Sequence, residues 1–220
     1  MIRSKQIWQA LKGIVFLLST TPFVFLAVDT IQNNLGANPL ETLHFRTGDW
    51  ALRFLLITLA LSPIKIIFGY THQLRFRRMM GLFAFFYASL HFFIYVVLEQ
   101  SMSWRLIVAE VPKSPYIIVG LLTYLLLVPL AVTSTSAMMQ RLGNKWKKLH
   151  RCIYGIGILA VIHFFWLVKA DITEPLLYAL VLAVLLAVRI FRKHLQRAGT
   201  KGWKRAWSTR IFWEKLTTHR

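Results

Sequence analysis

Long stretches of this chain carry no charge, and that limits its fold more than any other feature. Five runs lack Asp, Glu, Lys and Arg: Gly13–Val28, Met79–Leu98, Tyr116–Gln140, Cys152–Val168 and Pro175–Val188. A sixth, Phe54–Ile64, continues past Lys65 to Phe68. A helix crosses a bilayer core with about 20 apolar residues, in a range of roughly 17–25. The longer runs meet this unaided. The shorter ones meet it once flanking Lys and Arg side chains snorkel to the interface. The pattern predicts an all-α membrane protein, a six-transmembrane-helix bundle with spans near 8–28, 50–68, 79–98, 116–136, 149–168 and 174–191. These form one domain over 1–192, followed by a basic tail over 193–220. A hydrophobic share of 56% and a mean hydropathy of +0.53 are too high for an ordinary soluble domain. Arg3, Lys5 and Lys12 precede the first run, as in a signal peptide. It is read as a span instead, because no clear small-x-small cleavage site follows it and five more spans do.

The net charge of +19 raises nucleic acid as a partner, and its distribution argues against one. Of the 27 basic residues, 22 fall on the N-terminus, the second and fourth connections and the tail. The other side keeps Arg46, Arg53, Arg105, Lys113 and Lys169. Acidic residues divide the opposite way, with only Glu214 on the basic side. This asymmetry follows the positive-inside rule and places both termini in the cytoplasm. The partner implied for the tail is anionic membrane lipid. Trp203, Trp207 and Trp213 fit either an interfacial helix or a solvated basic tail.

Cys152 is the lone cysteine, which excludes an intramolecular disulfide and any Cys-based cluster. It is expected to be a small core residue. The connections are short, so neighbouring helices should run antiparallel. No internal repeat is evident by eye. The first outside loop, Asp29–Asp49, is expected to break helix at Asn38-Pro39 and at Gly48. The second, Glu99–Pro115, has the apolar spacing of a half-buried surface helix. Thr133 to Ser136 suit capping at the end of span four. No Gly-x-Gly-x-x-Gly run follows a strand and no phosphate loop exists, so NAD(P)H is not held here in the usual way.

Three histidines sit in or beside the greasy runs: His91, His150 and His163. Ionisable groups at membrane depth are costly and usually serve a task. Neutral imidazole is also a good ligand for haem iron. Counting about 1.5 Å per residue, His91 lies about 18 Å into span three and His163 about 21 Å into span five. Matched depth suits two axial ligands of one porphyrin; two core histidines in polar contacts are the plainer alternative. His150 lies about 20 Å closer to the cytoplasm, and an ideal helix turns its ring some 140° away from that of His163. The matching positions on span three hold Arg77 and Arg78. These suit haem propionates or a flavin phosphate and cannot ligate iron. A second haem on His150 therefore needs another ligand, for which His72 is a candidate. His44, His194 and His219 read as solvent-facing, with His44 placed to meet a partner protein. The aromatic side chains of span three, Phe83 to Tyr95, offer an apolar slot for a macrocycle or bulk toward lipid.

Several motifs together resemble the MsrQ (YedZ) family. They are Asn38-Pro39-Leu40-Glu41 with Thr47-Gly48, Leu61-Ser62-Pro63, Arg77-Arg78 with Gly81 and His91, and Lys113 with Pro115-Tyr116. Leu130-Ala131 with Thr133-Ser134, and Trp146 with Leu149-His150-Arg151 through His163, complete the set. The resemblance spans nearly the whole chain. It implies a ferric-reductase-like membrane domain in the bacterial inner membrane, with haem b (one or two) and FMN as cofactors. His91, His150 and His163 match that family's haem-related histidines. Larger relatives pair two histidines on span three with two on span five, whereas only one stands on span three here. The implied role is an electron-transfer subunit. Electrons would come from a cytoplasmic flavin reductase or other NAD(P)H-derived donor. They would pass to a periplasmic molybdopterin-containing methionine-sulfoxide reductase subunit, where substrate is reduced. The alternatives are a stand-alone metalloreductase or quinol-linked cytochrome b and, from another class, a non-redox transporter.

Overall fold

The computed structural model describes residues 2–168 and 171–191. The basic tail with its tryptophans, His194 and His219, and also Lys169, lie outside the described residues. Among the described residues nine α-helices follow one another: α1 Ile2–Ile31, α2 Pro39–Phe68, α3 Arg77–Phe93, α4 Trp104–Glu110, α5 Pro115–Val132, α6 Ser136–Leu142, α7 Asn144–Leu149, α8 Ile153–Leu167 and α9 Thr173–Ile190. The same residues contain no strand. Six helical segments among the described residues are long and apolar enough to cross a membrane: Gln6–Ile31, Pro39–Phe68, His72–Glu99, Pro115–Val132, Asn144–Leu167 and Thr173–Ile190. The six-helix expectation therefore stands.

One expectation fails at the first connection. The loop ends at Asn38, and Asp49 already lies deep inside α2. Asn38 explains this. Its side-chain oxygen accepts from the Glu41 N–H at 3.4 Å, and its side-chain nitrogen donates to the Glu41 carboxylate at 2.8 Å. Pro39 then occupies the first helical position, where its missing N–H costs nothing. Asn-Pro is here a start signal and not a breaker, and Gly48 passes inside the helix. At 30 residues, α2 is about 45 Å long, more than a bilayer core of about 30 Å. Its first turns therefore reach beyond the apolar layer at the end of the bundle that also carries α4. Gly69 stops it in the left-handed conformation, with its N–H on the Lys65 carbonyl at 3.0 Å.

Helix α2 forms the centre, packed against α3, α8 and α9, while α5 pairs with α8 and touches α3. Leu55 and Leu59 of α2, Ala84 and Tyr87 of α3, and Ile156 of α8 are almost fully buried. Large side chains of α1 such as Phe16, Leu17 and Phe25 are exposed, as expected of a helix facing lipid.

Two proline-containing helices are repaired by neighbours. Pro63 removes the N–H that would bond the Leu59 carbonyl, and the Arg189 guanidinium of α9 donates to that carbonyl at 2.9 Å. In α1, just past Pro22, the Tyr87 hydroxyl accepts from the Phe23 N–H at 3.1 Å and donates to the Ser19 carbonyl at 2.9 Å. It thereby bridges the two ends of one helical bond. Lipid offers no replacement partners, so such repair must come from protein.

The end of α5 closes as its sequence suggests. Thr133 and Ser134 hydroxyls donate to the Pro129 and Leu130 carbonyls, and the Thr135 hydroxyl caps α6 through the Met138 N–H. Cys152 is exposed, contrary to the core reading. It ends a single 3-10 turn, His150–Cys152, which carries it away from the packed face of α8.

Candidate functional site

A cavity of about 1060 Å³ opens among α2, α3, α5 and α8 at the α4 end of the bundle. Its walls are mostly apolar, and Leu52, Leu55, Ala84, Ala88, Leu127 and Ala160 are among the aliphatic side chains there. Glu41, Asp49 and Glu99 add carboxylates, and Trp104, Ile107 and Val108 of α4 line it as well. The helix expected in the Glu99–Pro115 segment is thus present and borders this space. Of the ring residues between Phe83 and Tyr95 on span three, only Phe92 and Tyr95 line the cavity beside His91. Phe83 and Tyr87 are core, and Phe86 and Phe93 are exposed. Most of the rings around the cavity therefore come from other segments: Phe45, Trp104, Tyr116, Tyr124 and Phe164.

His91 and His163 face each other across this cavity, their ring centres 6.1 Å apart and their planes at 84°. Each ring is held from behind. The Nδ1 of His91 lies 3.1 Å from the His44 carbonyl, with the Thr47 hydroxyl at 3.4 Å. The Nδ1 of His163 lies 2.7 Å from the Tyr116 carbonyl. A carbonyl only accepts, so each Nδ1 carries the proton and each Nε2 keeps its lone pair. Outer-shell bonds of this kind fix the tautomer and aim of metal-binding histidines.

The donor set tells which metal group can fit. Among the described residues, no three or more His, Cys, Asp or Glu gather to hold a bare ion. Two opposed imidazoles instead suit an iron whose other four positions are filled by a macrocycle. Two imidazole–metal bonds of about 2 Å, plus the reach from each nitrogen to its ring centre, sum to roughly 6 Å. That matches the separation observed. Apolar walls and two lone pairs at this spacing fit an iron porphyrin.

The family described as ferric reductase like transmembrane component matches residues 47–168, which include both imidazoles. A relative from Xanthomonas euvesicatoria pv. vesicatoria is 54% identical over 166 residues, 76% of each chain. One from Rhodospirillum rubrum is 48% identical over 177 residues, 80% of this chain and 85% of its own. Both are named protein-methionine-sulfoxide reductase heme-binding subunit MsrQ. The chain belongs to the MsrQ family. No solved structure matches it.

The remaining candidates of this MsrQ-family chain lie elsewhere. His150 is outside the cavity, stacked on Trp146 with ring centres 3.8 Å apart, its Nδ1 3.1 Å from the Trp146 carbonyl. Arg77 is half-buried and close enough for its charge to act on His150. Arg78 is exposed and donates to the Ser136 hydroxyl at 3.2 Å, tying α3 to α6. His72 is exposed and stacked on Trp8 of α1, ring centres 5.1 Å apart. Among the described residues no ring contact joins His72 to His150. His44 departs from its solvent-facing expectation. Its imidazole is only 19% exposed, lies edge-on to His91 at 5.2 Å, and has its Nε2 2.9 Å from the Glu99 carboxylate. The cause is the early start of α2: with the helix beginning at Pro39, His44 lies on its cavity side. Tyr95, one of the span-three rings expected to face a macrocycle, does line the site. Its hydroxyl is buried beside the cavity without a hydrogen-bond partner among the described residues.

Proposed function

We propose that this chain is the haem-binding membrane subunit of a methionine-sulfoxide reductase. The observation that carries this reading is the pair His91 and His163, ring centres 6.1 Å apart in one cavity and each with Nδ1 engaged by a backbone carbonyl. Both side chains would hold haem b through their imidazole nitrogens. Haem, when bound, supplies a one-electron redox centre whose potential depends on ligand basicity and burial. The chain's own residues do the rest. The His44 and Tyr116 carbonyls orient the imidazoles and raise their basicity. Leu52, Leu55, Leu127 and Ala160 keep water from the site.

Family membership and the asymmetry of charge support a wider role. Both termini lie in the cytoplasm, supported by the basic connections at the α7 end. Reducing equivalents enter there from a flavin reductase or another NAD(P)H-derived donor. They leave at the α4 end to a periplasmic molybdopterin-containing subunit, on which methionine sulfoxide is reduced. The membrane is the bacterial inner membrane. FMN is the second cofactor, and a flavin phosphate would suit the guanidinium groups of Arg77 and Arg78. His150, beside Arg77, is the residue through which a second haem would be held; His72, stacked away on Trp8, is a weaker candidate for its other ligand.

The test is a reduced-minus-oxidised spectrum of the purified chain, followed by reduction kinetics with the periplasmic subunit and with a ferric chelate. A low-spin b-type spectrum and oxidation by the protein partner are expected. Oxidation by ferric chelate alone would favour a stand-alone metalloreductase.

A further inference from the structure

The two imidazole cradles have the same construction. The His91 ring reaches back 47 residues to the His44 carbonyl, and the His163 ring reaches back 47 residues to the Tyr116 carbonyl. Four residues after each carbonyl stands a glycine, Gly48 on α2 and Gly120 on α5. Adding 72 to the numbers of His44, Gly48 and His91 gives Tyr116, Gly120 and His163. The same shift carries His91-Phe92-Phe93 onto His163-Phe164-Phe165. The helix pairs α2–α3 and α5–α8 therefore repeat one arrangement at these marks.

The glycines have a physical reason. In a helix the carbonyl of residue i already accepts the N–H of residue i+4. Its second lone pair points outward, beside the Cβ of that same i+4 residue. A Cβ on Gly48 would lie 3.3 Å from Cε1 and Nδ1 of His91. One on Gly120 would lie 2.7 Å from Cε1 and 2.8 Å from Nδ1 of His163. The first is a tight contact and the second a clash. We propose that Gly48 and Gly120 are positioning residues of the haem site: each lets a neighbouring imidazole reach a helix carbonyl, which fixes the Nδ1 proton and aims Nε2 at its counterpart. This inference rests on the function proposed above. It assigns a task to two residues that touch neither iron nor substrate.

Three single variants test it in the full-length purified protein: Gly48→Ala, Gly120→Ala and Gly155→Ala. Gly155 shares α8 with His163, and a Cβ there would meet nothing within 4 Å, so it is the control. The readouts are haem per chain, the g values of the ferric low-spin signal, the midpoint potential and helicity by circular dichroism. Gly120→Ala should lose about 10–100-fold in haem affinity, the usual cost of an outer-shell partner, with helicity kept. Gly48→Ala, with the milder contact, should retain haem with altered g values and a shifted potential. Gly155→Ala should match the wild type. If Gly120→Ala does not fold, Gly48→Ala decides alone. Native spectra and potentials in Gly48→Ala and Gly120→Ala overturn the inference, as does an equal disturbance in Gly155→Ala. A wild-type protein lacking the low-spin signal would instead overturn the function proposed, and this inference with it.

Discussion

The two ends of the bundle use histidine in opposite ways. At the α4 end, His91 and His163 come from different helices, face each other, and bond backbone carbonyls only through Nδ1. At the α7 end, His150 lies flat on Trp146 and has Arg77 as its charged neighbour, while His72 stacks separately on Trp8. The first arrangement places two rings in one cavity with Nε2 of each clear of those backbone bonds. The second offers one partly covered ring among cations. What separates a ligand pair from a set of histidines is therefore which nitrogen is occupied and what lies opposite. Sequence position alone does not distinguish them.

Four tests by substitution break or sharpen that contrast. The largest effect belongs to His91→Ala and His163→Ala. Each should remove the same low-spin haem, with an affinity loss of roughly 100-fold or more, at or beyond the upper end of what losing an outer-shell partner costs. Pyridine haemochrome titration reads it directly. Next is Arg189→Met at the α7 end. It leaves the Leu59 carbonyl unpaired beside Pro63 and should cost about 1–3 kcal/mol in stability. Thermal unfolding in detergent should register that loss while the haem spectrum stays native. Third, His150→Ala should leave the spectrum of the His91–His163 haem unchanged, checked by absorbance and electron paramagnetic resonance. Its disappearance would erase the distinction between the two ends. The smallest effect is expected from Tyr95→Phe. Removing a buried hydroxyl with no partner among the described residues should be neutral or stabilise by about 1 kcal/mol, read as an unchanged or raised melting temperature.

The helices and their order are legible in the sequence because lipid demands long uncharged runs, and those runs are visible without a fold. The depth of His91 and His163 is legible for the same reason, since rise per residue is nearly constant. Other features are hidden. The start of α2 is obscured because Asn-Pro signals both a break and a helix start, and only the Asn38–Glu41 pair distinguishes them. The same ambiguity conceals His44, whose burial depends on the extra turns of α2. Cys152 escapes a helical reading because one 3-10 turn rotates it out of the phase that α8 would impose. The repeat of the cradles is present as a shift of 72 in the numbering. It rests on so few marks that tertiary contacts are needed to choose them.

The most direct measurement is haem stoichiometry and spectrum in the wild type beside the His91→Ala, His163→Ala and double variants. If both imidazoles serve one centre, the two single variants and the double variant lose the same low-spin signal, with no further loss on combination. Loss of two separate signals, adding in the double variant, would contradict a shared site.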